Sequence, residues 1–148
     1  MTSIGAYLTD EHRACDAQLA ALEEQVRAGD WVAARAAWTE FESATLRHFR
    51  REEDVLFPAF EAASGGPHGP TAVMRMEHEQ IRAALAALAG AVQVRDARRV
   101  LGQSDTLMIL IQQHNLKEEQ ILYPLSEQLV PDGPGVLAAM RRVEGGSA

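Results

Sequence analysis

Cysteine is nearly missing from this chain of 148 residues. Cys15 stands alone, which excludes an internal disulfide and a cysteine-built zinc knuckle and makes a reducing compartment the expected setting. Positive charge is scarce as well. Fourteen Lys and Arg face 21 Asp and Glu, a formal net charge of -7, so no basic stripe is available to release counterions from nucleic acid. The pairs Arg98, Arg99 and Arg141, Arg142 are isolated. No apolar run approaches the roughly 18 residues that a membrane span needs. The opening MTSIGAYLTDEH has neither a basic nor an apolar leader region, so no secretory signal is expected. These absences predict a cytoplasmic protein with neither nucleic acid nor membrane as partner.

Strand-like alternation is also lacking, and what fills the chain is helix-forming Ala, Leu, Glu, Gln and Arg. Apolar residues make up 47%, enough to close one core, so a single domain is expected over residues 1–148, with a bundle over about 4–130 and a tail over 131–148. Breaks at AGD (28–30), SGGPHGP (64–70), VQVRD (92–96) and VPDGPG (130–135) divide it. They predict four helices over roughly 4 to 28, 30 to 63, 70 to 93 and 96 to 129, with a short C-terminal helix near 134 to 143. Short connections make neighbours antiparallel, so the expected fold is all-α, an up-down-up-down four-helix bundle.

The apolar seams carry polar residues. The first helix reads Leu8, His12, Cys15, Leu19, Leu22, Val26, and the third repeats those steps as Met74, His78, Ile81, Leu85, Leu88, Val92. The second runs Ala34, Trp38, Phe41, Thr45, His48, Glu52, Val55, Ala59, and the fourth Leu107, Ile111, His114, Glu118, Ile121, Leu125. Each of these two holds a histidine followed four residues later by a glutamate. EHRACDAQLAAL from Glu11 aligns with EHEQIRAALAAL from Glu77, and HFRREEDVLFPAFE from His48 with HNLKEEQILYPLSE from His114, both at an offset of 66 residues. The chain reads as two related hairpins facing each other across an approximate two-fold axis.

An unpaired buried carboxylate costs several kcal/mol, and a metal centre removes that cost. Residues four apart on a helix lie one above the other, so each His/Glu pair presents a nitrogen and an oxygen to one locus. Four histidines and two carboxylates exceed a tetrahedral zinc but suit two metals about 3.5 to 4 Å apart. The expected assignment gives His12 and His48 to one metal and His78 and His114 to the other, with Glu52 and Glu118 bridging.

The pattern resembles the hemerythrin family, specifically the bacterial hemerythrin-like HHE cation-binding domains, including the EExxLxP run that appears here as EEDVLFP and EEQILYP. Myohemerythrin, a member of that family, is a standard example of this bundle topology. The resemblance implies that His12, His48, Glu52, His78, His114 and Glu118 are ligands of two non-heme iron ions under an oxo or hydroxo bridge. It implies a small diatomic ligand (oxygen, nitric oxide) or peroxide as partner, in oxygen handling or sensing or in the response to oxidative or nitrosative stress. Alternatives are a di-iron oxidoreductase, an iron donor in iron-sulfur cluster repair, or an interaction bundle with zinc or no metal. Oxygen carriers of the family have a histidine where Met74 stands, one turn before His78, and an Asp five residues after the fourth-helix histidine, whereas Glu118 follows His114 by four.

Other residues have plainer readings. Glu11 and Glu77 beside the lone histidines, and Glu53 and Glu119 beside the seam glutamates, lie about 100° round the helix from the seam. Solvated faces are their expected place, with orientation of an imidazole or entry to the metal shell as the alternative. Met74 and Cys15 are candidate extra ligands or neighbours of the site, Cys15 reading first as a small apolar filler. His68 reads as an exposed loop residue. Pro58 and Pro124 are expected to kink or loosen their helices. Trp31, Trp38, Phe41, Phe57 and Tyr123 are expected to pack, with Phe57 or Tyr123 the alternative lining of an access path.

Overall fold

The computed structural model describes residues 2–144, so the outermost ends of the expected 1–148 domain, residue 1 and residues 145–148, lie outside the described residues. Helix α1 spans Ile4–Arg27, α2 Trp31–Arg51, α3 Phe57–Ser64, α4 Pro70–Gln93, α5 Ala97–Lys117, α6 Tyr123–Leu129 and α7 Gly133–Arg141. Two π-helical turns, Glu52–Leu56 and Glu118–Leu122, join α2 to α3 and α5 to α6 without a break in the helical path. The chain is thus an all-α bundle. In it α1 packs on α2 and α5, and α4 on α5 and α2, which closes a four-membered ring with α7 laid against α1 and the first π turn.

The sequence signals that start the helices repeat with the halves. Asp30 caps α2 by accepting from the Ala33 amide at 3.0 Å, and Asp96 caps α5 from the Arg99 amide at 3.1 Å. The residue before each cap takes a left-handed backbone: Gly29 at a φ of 74° and Arg95 at 55°. Glycine is free to do so, whereas the Arg95 Cβ is crowded there.

The π turns change the burial expected from the seams. Proline at 58 or 124 has no N–H to return to the carbonyl four residues earlier, and the widened turn takes up the mismatch. The Phe57 amide bonds to the Glu52 carbonyl and the Tyr123 amide to the Glu118 carbonyl, five residues back in each case. One extra residue per turn slips the register by one place. Leu56 and Phe60 are buried where Val55 and Ala59 were expected, and Leu122 and Ser126 where Ile121 and Leu125 were expected; Ile121 is 51% exposed. Up to Glu52 and Glu118 the seams are buried as read, apart from a half-buried Cys15.

The core is split into two apolar clusters. The larger gathers Leu19, Leu22, Trp38, Phe41, Leu85, Leu88 and their neighbours, and the smaller gathers Leu8, Leu56, Phe57, Met74, Tyr123 and Met140. Between them lies a polar layer. Among the described residues no helix is long and apolar enough to cross a membrane.

Candidate metal centre

His12, His48, Glu52, His78, His114 and Glu118 all lie in this layer, each with at most 4% of its surface exposed. They form two groups: His12, His48, Glu52 and Glu118, and then Glu52, His78, His114 and Glu118. Within each group the four facing ligand atoms lie within 4.8 Å of one another. The structure therefore brings together all six residues singled out from the seams, in the two sets expected, with both glutamates shared.

Each histidine is held from behind by a different carboxylate. His12 Nδ1 donates to Glu119 at 2.7 Å, His48 Nδ1 to Glu11 at 2.9 Å, His78 Nδ1 to Glu53 at 2.6 Å and His114 Nδ1 to Glu77 at 2.9 Å. The pattern obeys the 66-residue offset, since exchanging the halves turns the His12–Glu119 bond into the His78–Glu53 bond. This corrects the expectation that Glu11, Glu53, Glu77 and Glu119 sit on solvated faces; their side chains are between 13% and 28% exposed. Glu11 and Glu77 flank the seam on α1 and α4, where a bundle presents them to the neighbouring helix. Glu53 and Glu119 sit in the π turns, where successive side chains are turned less far round the axis than in an α-helix, so both glutamates of each EE pair face inward.

Cations brace this outer ring. Arg51 pairs with Glu11 and its counterpart Lys117 with Glu77, while Arg82 grips Glu53 at 2.7 Å and 2.9 Å. Arg51 also donates to the Met140 carbonyl at 2.9 Å, tying α7 to the site.

With Nδ1–H committed outward, each imidazole turns Nε2 towards the shared glutamates, the tautomer a metal ion accepts. Without a metal, the neighbouring carboxylates favour a proton on Nε2 as well, which a bound ion would have to displace. Burial disfavours a charged His114, but the adjacent Glu118 carboxylate outweighs it and raises the imidazole to about 9. His48 and His78 are raised in the same way against burial, by Glu52 with Glu11 and by Glu52 with Glu53. Burial likewise opposes ionisation of Glu118 and Glu53, yet His114 holds Glu118 well below the carboxylate range, and His78 with Arg82 holds Glu53 down to about 2.

The halves differ in how their inward atoms are satisfied. The Tyr123 hydroxyl, fully buried, donates to Glu52 Oε2 at 2.6 Å and lies 2.9 Å from Glu118 Oε1 and 3.1 Å from His12 Nε2. Burial, then the charges of Glu118 and Glu52, raise its pKa well above the phenolic value. In the other half, Glu52 Oε1 faces His78 Nε2 at 3.1 Å and Glu118 Oε2 faces His114 Nε2 at 3.2 Å. None of these four buried atoms has a hydrogen-bond partner. Four converging orphaned donors of nitrogen and oxygen type are what a bound cation would satisfy, so the residues fit a metal pair.

Aromatic rings wall the layer. Phe49 stacks on His78 with centroids 3.9 Å apart, Phe57 stacks on His78 at 5.5 Å, and Tyr123 on His12 at 5.8 Å. On the other side of His12 and His48 lies a cavity of about 20 Å³ bordered by Cys15, Thr45 and Asn115, room for one water-sized molecule. Burial pushes the Cys15 thiol up. Met74 packs into the smaller apolar cluster with Phe57 and Tyr123, and His68 is exposed in the loop before α4.

Sequence reasoning missed the Tyr123 hydroxyl and Phe49. Phe49 carried a signal, as it precedes the seam's next turn beside His48, whereas Tyr123 enters only through the register slip. Residues 3–126 match the family model for the hemerythrin HHE cation binding domain. No curated protein and no solved structure matches the chain.

Proposed function

The chain belongs to the hemerythrin HHE cation-binding family, and from that membership and the cluster's geometry we propose that it holds two iron ions and binds a small diatomic molecule, oxygen or nitric oxide, in oxygen handling, sensing or stress response. The observation that carries the reading is the pair of buried His₂Glu₂ groups sharing Glu52 and Glu118, with every Nδ1 already engaged by an outer carboxylate. A ferrous pair there supplies electrons and a coordination position to the incoming molecule. His12 and His48 would hold one ion, His78 and His114 the other, and the two glutamates would bridge them.

The chain's own residues set the conditions. Glu11, Glu53, Glu77 and Glu119 orient the imidazoles. The apolar clusters above and below, with Phe49 and Phe57 against His78, exclude bulk water from the layer. The cavity of about 20 Å³ beside His12 and His48 admits a diatomic and rejects an organic substrate. A reducing, cytoplasmic setting suits both a ferrous site and the single free Cys15.

The test is metal analysis with an absorption spectrum of protein purified without air, then exposed to oxygen and to nitric oxide. Two irons per chain with reversible near-ultraviolet and visible bands are expected. Saturation at a single metal ion overturns the di-iron reading, and irreversible oxidation on the first exposure favours redox chemistry over binding.

A further inference from the structure

The two halves repeat their histidines, glutamates, outer carboxylates and caps, but position 123 breaks the symmetry. Tyr123 stands where the first half has Phe57, each five residues beyond its shared glutamate and each first after its π turn. We infer that Tyr123 is itself a ligand: its phenolate oxygen joins the ion held by His12 and His48, while the ion held by His78 and His114 has no such partner. This rests on the metal-pair reading above.

The argument is geometric. The hydroxyl oxygen lies 2.6, 2.9 and 3.1 Å from Glu52 Oε2, Glu118 Oε1 and His12 Nε2, three atoms of residues that make up one of the two groups. The hydroxyl thus sits among atoms that already converge, since His12 Nε2 lies 3.0 Å from Glu118 Oε1. Of the orphaned atoms, His78 Nε2, His114 Nε2 and Glu118 Oε2 face the other group, where the Phe57 ring offers no donor, while Glu52 Oε1 lies between His78 Nε2 at 3.1 Å and His48 Nε2 at 3.3 Å. Phenolate is a hard anionic oxygen suited to ferric iron. On ligation the O–H bond breaks, its proton goes to solvent, the oxygen lone pair goes to the metal, and no electron is transferred. The two ions would therefore be inequivalent.

The experiment is resonance Raman and visible absorption on the ferric, fully loaded chain, grown with ordinary or ring-deuterated tyrosine, with iron counted in each sample. A phenolate-to-ferric charge-transfer band is expected in the visible, with enhanced tyrosine ring modes that shift on deuteration. The chain has two tyrosines. Tyr7 lies half-buried beside Arg51 and Arg141, so Tyr7→Phe should keep the modes and Tyr123→Phe should lose them from whatever iron it retains. A native chain with two irons and no tyrosine modes overturns the inference and leaves the di-iron reading standing. Modes that survive Tyr123→Phe also overturn it, and a native chain that takes up no iron overturns both readings. If Tyr123→Phe does not fold, the deuteration shift in the native chain together with Tyr7→Phe decides the question.

Discussion

Metal loading should stabilise the chain by an amount that the orphaned atoms set from below. Glu52 Oε1, Glu118 Oε2, His78 Nε2 and His114 Nε2 are buried without hydrogen-bond partners, and each such group costs about 1–3 kcal/mol. The low end applies, because the oxygens and nitrogens face each other at 3.1 and 3.2 Å and attract as ions. Four groups at about 1 kcal/mol each give roughly 4 kcal/mol recovered when a cation satisfies them. For a chain of this size a kcal/mol moves the melting midpoint by about 2–4 °C. The loaded chain should therefore melt at least about 8 °C above the chelated one. The assay is a calorimetric or circular-dichroism melt of chelated and anaerobically ferrous-loaded protein in the same buffer, with metal counted in both. A rise of under about 3 °C at two metals per chain would show that these atoms carry no penalty in the metal-free fold, and the reasoning from them would fail.

The pH dependence of the chelated chain should oppose that of the loaded one. His48, His78 and His114 are raised in the fold, His114 to about 9, so their contribution is complete below the unfolded value near 6.5 and is lost as pH rises through each folded value, for His114 about 9. Melting midpoints of the chelated chain should fall between pH 7 and 9, while metal affinity, which must displace those protons, should rise over the same interval. Glu53→Gln keeps an acceptor for His78 Nδ1 but removes the charge, and should weaken metal binding about 10- to 100-fold in a competition titration. Glu52→Ala removes a carboxylate shared by both groups and should cost more metal than Glu53→Ala at equal loading conditions; equal losses would contradict the arrangement seen here. Arg95→Gly relieves the left-handed backbone at a φ of 55° and should raise stability by about 0.5–1 kcal/mol in denaturant unfolding; no gain would mean that the side chain has compensating contacts.

What was legible in the sequence follows from periodicity. An α-helical seam places Leu8, His12 and Leu19, or Trp38, Phe41 and His48, on one face by spacing alone, and the 66-residue repeat doubles every such inference. The six central residues were therefore readable, as were the helix breaks. Legibility ended at Glu52 and Glu118. Beyond those points a π turn inserts a residue that no spacing rule anticipates, so Leu56 and Leu122 replaced Val55 and Ile121 in the core. The proline six residues after each glutamate signalled a disturbance without giving its form. The outer carboxylates were misjudged for a related reason: angular distance from the seam decides exposure on an isolated helix, but in a bundle a flank position meets the next helix, and Glu11 reaches His48 rather than water.

The pattern of what the halves keep and what they vary separates holding a metal from distinguishing two of them. The kept pairs are His12/His78, His48/His114, Glu52/Glu118, Glu11/Glu77 and Glu53/Glu119, with the cationic brace Arg51/Lys117 behind them. Every one of these acts on the charge or orientation of a ligand atom, and changing one copy would disable half the cluster. The varied pairs touch the same layer without belonging to it: Phe49 against Asn115, Phe57 against Tyr123, Cys15 against Ile81, Thr45 against Ile111. The polar members Asn115, Tyr123, Cys15 and Thr45 all gather round His12 and His48, through the cavity on one side and the hydroxyl on the other. Of the apolar members, Phe49 and Phe57 stack on His78, and Phe49, Ile81 and Ile111 also border the cavity. The four polar members lie nearest His12 and His48, so the two ends of the duplicated cage differ in surroundings although their histidines and glutamates are the same.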